Sequence, residues 1–80
     1  MSKGRMVYQD WDGYWVNERV GSGRVGSLHR TQREAVAAAR EMLLRVGGGE
    51  LTVHGADYSI CSRETVRGGS ERRSTGELEH

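Results

Sequence analysis

Residues 31–46 constrain this chain more than any other stretch: Thr-Gln-Arg-Glu-Ala-Val-Ala-Ala-Ala-Arg-Glu-Met-Leu-Leu-Arg-Val, followed by Gly47, Gly48 and Gly49. Thr31 and Glu34 have capping-box spacing, in which the hydroxyl and the carboxylate each take up a backbone N–H that the first helical turn leaves free. Val36, Ala39, Leu43 and Val46 recur at three- and four-residue intervals, and Ala35 and Met42 widen that stripe. Arg33, Arg40, Glu41 and Arg45 lie mostly off it. The spacing predicts one amphipathic helix, and the three glycines predict a C-terminal cap and a flexible exit. No other stretch holds a helical period, so the rest must supply short strands that bury the helix's apolar face.

Before the helix, Arg5–Gln9 and Tyr14–Val20 have β character, and the intervening Asp10-Trp11-Asp12-Gly13 predicts a hairpin turn. The second run has two facings open to it: Tyr14 and Val16 alternate together, and so do Trp15, Asn17 and Arg19. Gly21-Ser22-Gly23 turns the chain into a weaker strand, Arg24–His29, where Val25 and Leu28 are the good apolar residues. After the helix, Glu50–His54 alternates, with Leu51 and Val53 on one face. Gly55-Ala56-Asp57 turns into Tyr58–Arg63, where Tyr58 and Ile60 share a face. From residue 67 onward the composition is too polar to join a core and predicts disorder. The expected architecture is α+β: five short strands in the order β-β-β-α-β-β, a mainly antiparallel sheet with the helix on one face, spanning residues 5–66 as a single domain.

Eighty residues with 35 % apolar content and no Phe make a thin core, worth only a few kcal/mol of net stability. Leu78-Glu79-His80 reads as a tag remnant. Without Glu79 the balance of 12 basic against 11 acidic residues becomes 12 against 10, a net charge of +2 that permits nucleic-acid binding without arguing for it. The single cysteine, Cys61, excludes an internal disulfide and argues against a thiolate zinc site. No segment approaches the roughly 20 apolar residues of a membrane span. A cytoplasmic location is the expectation.

Few residues point to chemistry. His29, His54 and Cys61 lie on three different strands without paired metal-ligand spacing, so neither a metal site nor a catalytic cysteine is expected. Asp10 and Asp12 sit in a turn, where hydrogen bonding to turn backbone is the natural role. Gly21-Ser22-Gly23-Arg24-Val25-Gly26 matches Gly-x-Gly-x-x-Gly, but a weak strand follows it instead of the helix that dinucleotide binding needs. Four of the five aromatics fall at Tyr8, Trp11, Tyr14 and Trp15, close in sequence to Arg5, Arg19 and Arg24. Single-stranded nucleic-acid binders stack bases on such rings and meet phosphates with such guanidiniums. Core packing or self-association is the simpler use, since one helix covers one sheet face only. Arg63, Arg67, Arg72 and Arg73 are interrupted by Glu64 and Glu71, as on a solvated end.

Gly13-x-Trp15, Ser27-Leu28-His29-x-Thr31-x-x-Glu34-Ala35 at the helix start, and Glu50-Leu51-x-Val53-His54-Gly55 together resemble a family of small bacterial proteins, domain-of-unknown-function family 2188. The resemblance covers residues 6 to 62. It implies a compact domain of strands flanking one helix, with Trp15 packed on the helix, and carries no activity, cofactor or catalytic residue. Family members have Val two residues after the tryptophan, where this chain has Asn17. They have Asp-Gly in the last turn, where it has Asp57-Tyr58, and a Tyr-Gly and proline-rich ending that it lacks.

The resulting expectation is a non-enzymatic interaction module that self-associates or binds a protein partner, without cofactor or metal. Weak single-stranded nucleic-acid binding through an aromatic and arginine-bearing sheet face is the alternative. The candidate face comprises Tyr8, Trp11, Tyr14, Arg19 and Arg24.

Overall fold

Strand β1 (Gly4–Gln9) opens the computed structural model, which describes residues 4–68; β2 (Trp15–Arg19), β3 (Val25–His29), helix α1 (Gln32–Arg45), β4 (Gly48–His54) and β5 (Ile60–Arg67) follow. The strands form one mixed sheet in the order β3-β2-β1-β4-β5. Three pairings are antiparallel and one, β1 with β4, is parallel. The parallel pair follows from the helix, which leaves edge strand β3, crosses the sheet diagonally and delivers the chain beside β1. Only a crossover of that length can join parallel neighbours. The α+β architecture and its β-β-β-α-β-β order match the expectation. The disorder expected beyond residue 67 falls, past Gly68, outside the described residues; Arg67 itself closes β5.

Thr31 caps the helix with one half of the expected box: its hydroxyl accepts from the Glu34 N–H at 3.1 Å, but the Glu34 carboxylate does not bond back to the cap. Ala35, Ala39 and Leu43, one turn apart, are the residues α1 buries. The small alanines let the helix lie close on the sheet, and Leu43 supplies the largest buried side chain of the row. Val36 and Leu44 pack against the edges of this core. Val46, expected in the stripe, is instead the C-cap residue, past the last helical turn, and half exposed.

The three glycines after the helix do not form a loop. Gly47 makes the turn, while Gly48 and Gly49 are the first residues of β4. Both keep positive φ, and a Cβ on Gly48 would collide with the Val66 carbonyl of β5. Close approach of the two strands, more than helix capping, requires glycine here. The last strand is also longer than its alternation indicated: β5 reaches Arg67, and Val66 joins the core.

Strand alternation then sorts every side chain onto one of two faces. Val7, Leu51, Val53 and Val66 meet α1, with Trp15 packed against them from β2. Of the two facings open to β2, the structure therefore takes the one with Trp15 and Asn17 toward the helix. Tyr8, Val16 and Leu28 lie side by side across β1, β2 and β3 on the opposite face.

Candidate functional site

Among the described residues nothing covers the face away from the helix. On it Val16 is buried between its cross-strand neighbours Tyr8 and Leu28, but the apolar residues toward the two edges are not: Val25 and Leu28 of β3 are each 53 % exposed, and Ile60 of β5 49 %. Tyr8 donates its hydroxyl to Glu18 Oε1 at 2.6 Å. That bond, with burial and the nearby carboxylate charges, pushes the phenol up to a pKa of about 12. Met6, Tyr8, His54 and Tyr58 line a shallow apolar groove of about 330 Å³ toward β5. Glu50 accepts from Thr65 Oγ1 at 2.7 Å on the same face, which also carries Arg63 and Arg67 by alternation.

Tyr58 reaches this groove through an unusual backbone. Its φ is 69°, the left-handed region that favours glycine, and it is the position at which the resembling family has Gly. The turn is tied by the Gly55 and Tyr58 carbonyls, which accept from the Tyr58 N–H at 2.9 Å and bond His54 Nδ1 at 3.0 Å respectively. Asp57 accepts from the Ser59 hydroxyl and N–H, which holds its carboxyl below the usual range.

The five residues of the expected interaction face do not share one surface. Tyr8 and Tyr14 lie on the open face. Trp11 stands 97 % exposed at the tip of the β1–β2 loop, and Arg24 is exposed in the β2–β3 loop. Arg19 turns to the helix side, directly across from Arg5. The β1–β2 loop explains the shift: it spans residues 10–14 instead of a two-residue Asp12-Gly13 turn. Asp10 closes it by accepting from the Asp12 and Tyr14 N–H groups at 2.9 Å.

Beneath the helix, Asn17 is fully buried where the family has Val, and its polar atoms are all engaged. Arg5 Nη1 donates to Asn17 Oδ1 at 3.2 Å. Asn17 Nδ2 donates to Ser27 Oγ at 3.2 Å and contacts Met42 Sδ at 3.4 Å. Ser27 Oγ lies 2.7 Å from His29 Nε2. By distance alone the last two could be a nucleophile and base. The hydroxyl is shared with Asn17, however, and among the described residues no carboxylate bonds the histidine ring, so the pair completes the bonding of a buried amide. Sequence spacing left this network unseen because Asn17 had two facings open to it.

A second cavity, of about 480 Å³, opens between the C-terminal half of α1 and the ends of β1 and β2; Arg5, Arg19, Arg45, Met42, Leu43 and Val46 line it. Burial and the neighbouring Arg19 guanidinium lower the pKa of Arg5. Among the described residues no three His, Cys, Asp or Glu side chains group to hold a metal, and no helix is long and apolar enough to cross a membrane.

The chain belongs to a bacterial family described as uncharacterized protein conserved in bacteria (DUF2188), whose profile matches residues 5–66. No curated protein and no solved structure matches it.

Proposed function

We propose that this member of an uncharacterized bacterial family is a non-enzymatic interaction module, and that a second copy of the chain covers its open sheet face. The observation that carries this reading is the band of apolar residues across the open face, from half-exposed Val25 and Leu28 on edge strand β3, through Val16 and Tyr8, to half-exposed Tyr58 and Ile60 at the β5 edge. Contiguous apolar surface of this kind on a small domain marks an interaction site. Its charges favour a like partner: Glu18 and Glu50 balance Arg63 and Arg67, so two copies meet without net repulsion. A domain with so thin a core also gains burial by pairing. In this reading the chain works in the cytoplasm, where its exposed thiol, Cys61, stays reduced.

Nucleic acid is the weaker occupant. The Tyr8 hydroxyl is held by a carboxylate, and Glu18 and Glu50 would oppose phosphates. Backbone amide spectra test the choice. Dilution is expected to move signals of Tyr8, Val16, Leu28 and Ile60 together, while a single-stranded oligonucleotide at low salt leaves them in place. Saturable oligonucleotide shifts confined to β1 and β2, weakening steeply with salt, would favour nucleic acid instead.

A further inference from the structure

The cavity on the helix side is unrelated to the open face and brings together three like charges. The register of β1 and β2 sets Arg5 opposite Arg19, and the last turn of α1 adds Arg45. Like charges directly opposite in a sheet repel each other. Among the described residues the one ion pair joins Arg40 to Glu64, on another part of the surface, so none of the three guanidiniums pairs with a described carboxylate. Arg5 is built into position: a fully buried Asn17 accepts from its Nη1, leaving further N–H donors of the fork for a ligand. Met42, Leu43 and Val46 give the remaining wall an apolar surface. At about 480 Å³ the cavity has the size of small-molecule sites.

We propose that this cavity binds a small organic phosphate monoester, with Arg5, Arg19 and Arg45 around the phosphate and Met42, Leu43 and Val46 against the apolar body. A dianionic phosphate offsets more of the three positive charges than a carboxylate does, and its oxygens match the bidentate guanidinium fork. The apolar wall distinguishes such a ligand from inorganic phosphate, which would leave it wet.

Phenyl phosphate is the probe, with inorganic phosphate, benzoate and phenol beside it, titrated into the full chain and followed by side-chain NMR. Phenyl phosphate is expected to give saturable shifts at the Arg5, Arg19 and Arg45 guanidinium signals and the Met42 methyl, and to bind more tightly than the other three. Losing a charged hydrogen-bond donor should weaken it about 10- to 100-fold in Arg19→Gln or Arg45→Gln. Both residues are exposed, so both variants are expected to keep the wild-type circular dichroism. Arg33→Gln, in the first turn of α1, should leave affinity unchanged. Absence of saturable shifts, equal weakening by Arg33→Gln, or benzoate binding as tightly as phenyl phosphate would overturn the proposal.

Discussion

The two faces of the sheet are made from the same kinds of residue and end in opposite conditions. On the helix side Val7 and Leu51 are fully buried, while on the other side Val25 and Leu28 are half exposed. Strand propensity and alternation do not distinguish them. The difference is the reach of one helix, whose Ala35-Ala39-Leu43 row packs on one face of the sheet, against Val7, Leu51, Val53 and Val66, and leaves the other face untouched. A single helix therefore buries the apolar residues of one face and leaves those of the other half exposed.

The largest effect should separate the faces outright. Leu43→Ala is expected to cost about 2–5 kcal/mol, because it opens a cavity in the covered core. Leu28→Ala, measured in dilute solution, should cost less than about 1 kcal/mol, since half of that side chain already meets water. Denaturant midpoints check both, and equal losses would mean the open face is buried in the isolated chain. Leu44, packed at the edge of the core, should fall between the two.

Asn17 sharpens the comparison from inside the covered face. Asn17→Ala should cost about 1–3 kcal/mol, because the Arg5 guanidinium and the Ser27 hydroxyl lose their partner in a buried setting. An unchanged midpoint would show that water or another side chain takes over the bonds.

Asn17 also marks where sequence reading ends. The helix, its Thr31 cap and the five strands follow from local patterns that report periodicity directly. Facing on β2 does not, because Trp15 and Val16 are both good strand residues and alternation is symmetric between them. Arg19 joined Tyr8 and Tyr14 in the expected face through sequence proximity, whereas its side of the sheet depends on the length of the β1–β2 loop. A one-residue slip in the pairing register sends every side chain of a strand to the opposite face. The arginine cavity was out of reach for the same reason: Arg5, Arg19 and Arg45 converge only through strand register and the helix crossing. Gly48 carried a signal, three glycines in a row, but the cause lies in the neighbouring strand β5.

Smaller effects test the open face itself. Tyr58→Gly relieves a left-handed backbone at a half-exposed residue and should raise stability by about 1 kcal/mol. Thermal unfolding in dilute solution measures it; a loss would mean the tyrosine packs on that face more than it strains the turn. Tyr8 gives the least perturbing probe. Its folded pKa is raised from 10.0 to about 12, so the Tyr8–Glu18 bond contributes in full below pH 10 and is lost as the pH rises toward 12. Ultraviolet difference titration should find one phenol ionising near pH 12, moving down toward 10 in Glu18→Gln. A titration unaffected by that substitution would separate the two groups.

Sedimentation velocity over a wide concentration series tests the use of the open face most directly. Wild type is expected to pass from monomer to dimer as concentration rises. Leu28→Glu, which puts a charge on that face at edge strand β3 without touching the covered core, is expected to remain monomeric with an unchanged circular dichroism spectrum. A wild-type chain that stays monomeric up to its solubility limit, or a Leu28→Glu variant that dimerises as readily, would contradict self-association through this face.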